Sequence, residues 1–232
     1  MKFGCTNTWP SSKSKRSRTE ILRRLQALYD ASLAYFGPLC WWPGDTDFEI
    51  CVGAILTQNT AWTNVQKAIA NLKDRRMLTL RGMLRAAPRE LAEAVRPAGY
   101  YNQKSQRLSE FCRHIERRHR GSLGAMMRQP VAELRAELLA LKGIGPETAD
   151  SMILYVARQP IFVVDAYTRR IFSRLGAVGE DIEYLSLQDF FHRVLPPDAE
   201  YYGEYHAQLV YVGKNFCRKR NPRCDECPVR LT

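Results

Sequence analysis

Residues 141–165, LKGIGPETADSMILYVARQPIFVVD, restrict the possible fold more than any other part of the chain. Gly143 and Gly145 flank Ile144 in a turn where glycine can adopt a left-handed backbone. Pro146 stands where a new helix begins, because its missing N–H is no loss at the first helical position. The apolar residues that then recur at helical spacing are Ala149, Met152, Ile153 and Val156. The pattern predicts two helices joined by a tight hairpin.

The stretch closes on a single carboxylate after an apolar run, IFVVD, at residues 161–165. A hairpin between helices exposes backbone N–H groups and a helix N-terminus, which suit a phosphate group. Because Asp165 follows so apolar a run, we expect its carboxylate to be partly buried or to cap the next helix. The sequence therefore predicts a phosphate-binding hairpin, followed by a carboxylate shielded from water.

Charge and hydropathy narrow the classes of partner. The chain has 35 basic and 24 acidic residues among 232, and the net charge of +11 favours a polyanion. We find no apolar run of membrane-spanning length and no apolar core of a signal peptide, so we expect no membrane partner and a cytoplasmic location. Residues 1–18 are polar and basic, and we expect a disordered tail there.

The hairpin and the carboxylate together resemble the helix-hairpin-helix DNA glycosylases, the superfamily that includes endonuclease III. The family pattern L-x-G-[IV]-G-x-x-T-A is met by Leu141, Gly143, Ile144, Gly145, Thr148 and Ala149, and its V-D element by Val164 and Asp165. The resemblance implies that Asp165 is the catalytic aspartate and that Gln58 fills the space left by a flipped base. It also implies DNA contacts by Asn59, Lys142 and the hairpin residues Gly143, Ile144, Gly145 and Thr148.

An aromatic group occupies the loop before the second helix and the start of the third. Trp41, Trp42 and Pro43 are consecutive, and Trp62 follows the LTQNT segment. Such large rigid residues either fill a core or form the wall of a pocket for a flat ring. With the KGIGPETAD hairpin and VVDAY, these segments are most similar to the endonuclease III-like 3-methyladenine DNA glycosylases, over about residues 20–215. That resemblance adds Glu147 and Lys214 to the base pocket, with Lys214 at a position that can be carbamylated.

Glu147 separates two branches of the family. The resemblance places a lysine at this position in members that cleave the strand through a Schiff base, and a carboxylate cannot form that imine. We therefore expect a monofunctional glycosylase. An alkylated purine carries positive charge and gains from stacking on indole, so we expect a substrate of the 3-methyladenine type. The alternatives are a glycosylase for oxidised, deaminated or mismatched bases, with or without AP lyase activity, and a catalytically silent iron–sulfur DNA-binding protein.

Three of the seven cysteines are clustered near the C-terminus, at Cys217, Cys224 and Cys227. Their spacing resembles the [4Fe–4S] loop of endonuclease III, whose four thiolates hold the cluster. The fourth cysteine would fall just beyond Thr232. A loop without a cluster and a zinc ion on three thiolates are the other readings. We expect Arg218 and Arg220, inside the loop, to meet DNA phosphates.

We find no strand-period segment of any length, so we predict an all-α fold. By resemblance the architecture is that of a two-lobed helix-hairpin-helix DNA glycosylase with a C-terminal cysteine loop, and Asp165 lies in the cleft. The expected divisions are a tail at 1–18, a central lobe at 37–163, a second lobe from 19–36 plus 164–216, and the cysteine loop at 217–232. We expect N-caps at Thr19 and at Asp45 or Asp47. The expected partner is damaged double-stranded DNA, bound by a monomer at a prokaryotic nucleoid.

Overall fold

The computed structural model describes residues 17–39 and 41–230, and all regular structure within them is helical. Helices α1 to α12 are, in order, Arg18–Phe36, Asp47–Leu56, Trp62–Asp74, Leu80–Arg85, Pro88–Ala94, Tyr101–His119, Leu123–Met127, Val131–Leu139, Pro146–Tyr155, Ala166–Arg174, Tyr184–His192 and Ala199–Asn215. Short 3₁₀ helices span Arg96–Ala98 and Cys224–Glu226. The predicted all-α fold is confirmed. Most of the predicted tail, residues 1–16, lies outside the described residues.

The chain divides into two compact units. The hairpin unit is Trp42–Gln159 and contains α2 to α9. The terminal unit combines the chain up to Trp41 with the chain from Pro160 onward, and it contains α1, α10, α11 and α12. No helix among the described residues has both the length and the apolar character needed to cross a bilayer.

The hairpin unit is built around α2, whose residues from Cys51 to Leu56 are all buried. A helix that is apolar all round belongs in a core. The buried ammonium of Lys104, 1% exposed, fixes the end of this helix. Its Nζ donates to Leu56 O at 2.9 Å, Ala98 O at 2.8 Å and Thr60 Oγ1 at 2.6 Å. All three of its donors are therefore satisfied, which a buried charge requires.

In the terminal unit the apolar run at residues 161–164 is fully buried without forming a strand. Side chains of α11 satisfy its backbone instead. Phe162 N donates to His192 Nε2 at 2.9 Å, and Gln188 Nε2 donates to Phe162 O at 2.7 Å. The Phe162 ring stacks on Phe191 with centroids 3.9 Å apart. These bonds replace the partners that a sheet would supply, and they hold the backbone that leads into Asp165.

Two predicted helix starts are wrong by one or two residues. The N-cap of α1 is Ser17, whose side chain accepts from Glu20 N, rather than Thr19. The N-cap of α2 is Thr46, whose Oγ1 accepts from Glu49 N at 3.1 Å. Asp47 is instead the first helical residue, where its negative charge faces the positive end of the helix dipole.

Candidate active site

The Asp165 carboxylate is held at the N-terminus of α10. Its Oδ1 accepts from Thr168 N at 2.7 Å and from Thr168 Oγ1 at 2.9 Å, as an N-cap does. The side chain is 11% exposed. The structure thus combines both sequence expectations, because Asp165 is partly buried and caps the helix, and its Oδ2 remains outside the cap.

His206, on α12, faces the second oxygen of this carboxylate. Its Nε2 lies 3.7 Å from Asp165 Oδ2, which is longer than a hydrogen bond. At this distance a protonated imidazole would form an ion pair with the carboxylate. Burial raises the pKa of Asp165, while His206 and then Thr168 lower it, and the net effect is a pKa below the usual value. Asp165 is therefore ionised at neutral pH. Sequence reasoning missed His206, although it stands eight residues before Lys214, a spacing that puts both on one stripe of a helix.

Helices α10 and α12 approach closely because Gly213 has no side chain. A Cβ on Gly213 would lie 2.3 Å from Tyr167 Cδ1 and 2.7 Å from Tyr167 Cβ, so rotating the ring alone does not relieve the clash. Arg170 adds hydrogen bonds to Gly213 O at 3.2 Å and to Cys217 O at 2.6 Å. This close packing is what brings His206 to Asp165.

Trp41 and Lys214 form a cation–π contact in the terminal unit. The Lys214 Nζ lies 5.4 Å from the centre of the Trp41 ring and 6.0 Å from that of Tyr211, and the two rings meet edge to face at 5.9 Å. Burial lowers the pKa of Lys214, and the Asp165 charge partly offsets this. The indole thus faces a cation held beside aromatic surface.

The other predicted pocket residues belong to the hairpin unit. Trp42 and Trp62 meet at right angles with ring centroids 5.7 Å apart, and Tyr155, which sequence reasoning missed, packs on Trp42 at 5.2 Å. A Cβ on Gly53 would touch both indoles, at 3.5 and 3.6 Å. Pro43 is exposed, and together with Trp62 it lines a cavity of about 360 Å³.

The hairpin has the predicted turn, with one difference. Gly143 has φ +84, whereas Gly145 has φ −94 and is the extended N-cap of α9. Only the first glycine therefore uses the left-handed region, while Ile144 is 5% exposed and anchors the turn. Lys142 and Glu147 are exposed, and Glu147 lies in the first turn of α9.

Gln58 is bound to the hairpin by its side chain. Its Nε2 donates to Gly143 O at 2.9 Å and to Thr148 Oγ1 at 3.0 Å, while its Oε1 accepts from Arg107 Nη1. Sequence reasoning missed Arg107, which α6 supplies. Asn59 beside it is exposed and left-handed, with φ 51.

The three clustered cysteines line one apolar cavity in the terminal unit. Burial raises the pKa of Cys227 to about 11, and the neighbouring Cys217 and Cys224 add to the increase, so the three sulfurs interact. In the part of the chain that the structure describes, the three sulfurs do not all lie within 4.8 Å of one another. Arg174 Nη1 lies 3.5 Å from Cys217 Sγ, and Arg218 and Arg220 are exposed.

Comparisons with known proteins agree with this architecture. A family model described as "HhH-GPD superfamily base excision DNA repair protein" matches residues 52–197. The "Putative DNA repair glycosylase MJ1434" of Methanocaldococcus jannaschii is 43% identical over 218 residues, which are 93% of this chain and 97% of that protein. Endonuclease III of Thermotoga maritima is 28% identical over 184 residues, 79% of this chain and 81% of that protein.

Two solved structures are similar along most of the chain. The H. pylori 3-methyladenine DNA glycosylase MagIII, bound to 1,N6-ethenoadenine, has a TM-score of 0.73 at 31% identity, covering 84% of this chain and 97% of that one. A trapped covalent intermediate of endonuclease III with DNA has a TM-score of 0.77 at 21% identity, covering 92% and 94%, and supports the fold. The family match and the 43% identical relative show that this chain is a DNA glycosylase of the HhH-GPD superfamily, in its endonuclease III-like part.

Proposed function

We propose that this DNA glycosylase excises alkylated purines of the 3-methyladenine type from damaged double-stranded DNA by hydrolysing the N-glycosidic bond. The strand at the resulting abasic site is left uncut. The substrate class is inferred from the cation–π contact at Trp41, where the Lys214 Nζ lies 5.4 Å from the centre of the indole ring. A positively charged purine would gain the same attraction at an indole face. The 31% identity to a 3-methyladenine glycosylase supports the same substrate.

Asp165 supplies the catalytic carboxylate in this proposal. Breaking an N-glycosidic bond builds positive charge on the sugar, and a carboxylate that is fixed and poorly solvated stabilises that charge. Thr168 holds Oδ1, and we assign Oδ2, which lies beside His206, to face the sugar or to orient the attacking water. An alkylated base is already a good leaving group, and the mechanism therefore needs no general acid.

The proposed absence of AP lyase activity rests on Glu147. A strand nick through a Schiff base needs an amine at the sugar, and the glutamate that stands at this position of the hairpin has none. Lys142 is the neighbouring amine, and we assign it to a phosphate. Glu147 adds a negative charge in the first turn of α9, and this charge would favour a cationic base.

Reaching the base requires flipping it from the duplex, at a cost of about a few kcal/mol. We assign Gln58 and Asn59 to the space that the base leaves. The Gln58 amide is already positioned by Arg107 and by the Gly143 carbonyl. The strand phosphates would meet Lys142, Gly143, Ile144, Gly145 and Thr148 in the hairpin, and Arg218 and Arg220 in the cysteine loop.

A [4Fe–4S] cluster would be held by Cys217, Cys224 and Cys227, with its fourth ligand outside the described residues. Such a cluster would hold the loop together, and Arg218 and Arg220 in the loop would then meet DNA phosphates. We further propose that the enzyme acts as a monomer in a prokaryotic cytoplasm, at the nucleoid.

Base release from a panel of duplexes tests this function. The panel carries 3-methyladenine, thymine glycol or uracil, and borohydride trapping runs alongside. We expect release of the methylated purine only, nicking after alkali alone, and no trapped adduct. Asp165→Asn should abolish release while leaving duplex binding intact, whereas the exposed Asp189→Asn should behave as wild type. Spontaneous nicking with a trapped adduct would refute the hydrolytic mechanism, and preference for another lesion would refute the substrate class.

A further inference from the structure

Two histidines and a glutamate converge in the hairpin unit, apart from every residue assigned above. His114 and His119 lie in the last turns of α6, and Glu137 lies on α8. Both imidazole Nε2 atoms contact the same oxygen, Glu137 Oε1, that of His119 at 2.6 Å. The three donor atoms all lie within 4.8 Å of one another. Each side chain is about 14–15% exposed, so the group is shielded but reachable from solvent.

We propose that His114, His119 and Glu137 form a binding site for one divalent transition-metal ion of the Zn²⁺ type, which joins α6 to α8. Two imidazole nitrogens and one carboxylate are an established ligand set for such an ion, with water in the remaining position. Imidazole donors favour these metals over Mg²⁺ or Ca²⁺, which prefer all-oxygen sites.

Convergence on one oxygen is the observation that favours an ion over a simple hydrogen-bonded cluster. Without an ion, both imidazoles must carry their proton on Nε2 and compete for a single carboxylate oxygen. With an ion, each neutral imidazole carries its proton on Nδ1 instead, so both Nε2 lone pairs and the carboxylate bind the same positive charge. The metal-bound arrangement therefore uses all three groups at once.

Gln129 provides the outer support that metal ligands commonly have. Its Nε2 donates to the other carboxylate oxygen, Glu137 Oε2, at 2.7 Å, which fixes the plane of the carboxylate.

The position of the site indicates what the ion would do. Helix α8 ends at Leu139 and leads into the hairpin, while α6 carries Lys104, which binds the end of α2, and Arg107, which binds Gln58 beside the hairpin. An ion between α6 and α8 would brace the first helix of the hairpin. Because it binds the folded state only, it would also raise the melting temperature of the protein.

Cobalt titration of the chelator-treated full-length protein tests the site, because Co²⁺ reports its ligands by absorption. We expect one equivalent to give weak d–d bands without a thiolate charge-transfer band. Glu137→Gln and His119→Gln should each weaken binding at least tenfold. Glu133→Gln, an exposed acid on the same helix, should leave binding unchanged and serves as the matched control.

X-ray absorption of the zinc-loaded wild-type protein identifies the ligands of the ion directly. This measurement does not depend on whether a variant folds. We expect a shell of nitrogen and oxygen at about 2.0–2.2 Å with the signature of two imidazoles. A sulfur shell would place the ion at the cysteine loop and overturn the proposal. So would the absence of bound metal, or Glu137→Gln binding as tightly as wild type.

Discussion

At Asp165 opposing effects of burial and of neighbouring polar groups set the pKa of one carboxylate. Burial favours the protonated form, and His206 with Thr168 favours the charged one, so the folded pKa lies below the ordinary value of 3.8. Activity that needs the carboxylate is lost as the pH falls through this pKa. His206→Asn removes one of the groups that lower the pKa of Asp165, so this pKa should rise. We therefore expect the acidic limb of the pH profile of kcat to move to higher pH. Single-turnover base release across acidic pH measures the shift.

Two further measurements distinguish an electrostatic effect of His206 on Asp165 from a purely structural effect. Thr168→Val removes the other side-chain support of Asp165 and should move the limb in the same direction. Duplex binding and circular dichroism should stay unchanged in both variants. If the limb of His206→Asn coincides with that of wild type, His206 does not tune the carboxylate.

The candidate catalytic residue could be identified from the sequence, whereas the residues that contact it could not. Asp165 follows a local signal, an apolar run and a hairpin motif within 25 residues. His206 lies some forty residues further along and Arg107 some fifty beyond Gln58, so their contacts depend on how helices pack. Lys104 shows the same limit, since its burial and its hydrogen bonds to three acceptors follow only from the fold.

Elements were predicted well where the cause is local. Pro146 begins α9 as its missing N–H predicts, and all regular structure in the described ranges is helical. Exact helix starts were less predictable, because Ser17 and Thr46 compete with nearby Thr and Asp residues for the same cap. The buried run at 161–164 also shows tertiary control, since its backbone partners come from α11.

The close contact between α10 and α12 should be sensitive to one methyl group. In Gly213→Ala the added Cβ overlaps Tyr167 Cβ and Cδ1, so α12 must move away from α10. We expect a loss of about 1–3 kcal/mol in the free energy of unfolding, typical of overpacking. Base release should fall as well, because His206 and Lys214 move with the helix. Urea unfolding and single-turnover assays measure the two effects.

Gly124→Ala is the matched control for this change. That glycine is also helical, on α7, and an added Cβ would approach only the flexible end of Arg128, at 3.4 Å. Its expected effect is neutral or slightly stabilising, because alanine favours a helix over glycine. Equal losses in the two variants would show that the α10–α12 contact is not the cause of the loss.

On the scale of the whole molecule, the net charge of +11 attracts any polyanion and carries no information about position. In the proposed DNA interface this charge acts through exposed cations, Lys142 in the hairpin unit and Arg218 with Arg220 in the terminal unit. General attraction and fixed phosphate contacts differ in how they respond to salt. Each phosphate neutralised by a fixed contact releases condensed counterions and steepens the dependence of binding on salt by about 0.9 in the log–log slope.

The salt dependence of duplex binding therefore tests whether the charge acts locally. We expect Arg218→Gln and Lys142→Gln each to reduce the slope of log affinity against log salt by about one unit, on undamaged and damaged duplexes alike. Arg193→Gln removes the same charge from an exposed ion pair with Asp189 and should leave the slope unchanged. Fluorescence anisotropy over a salt series measures all three. If all three variants lower affinity equally with no change in slope, the net charge, rather than the hairpin and the cysteine loop, governs DNA binding.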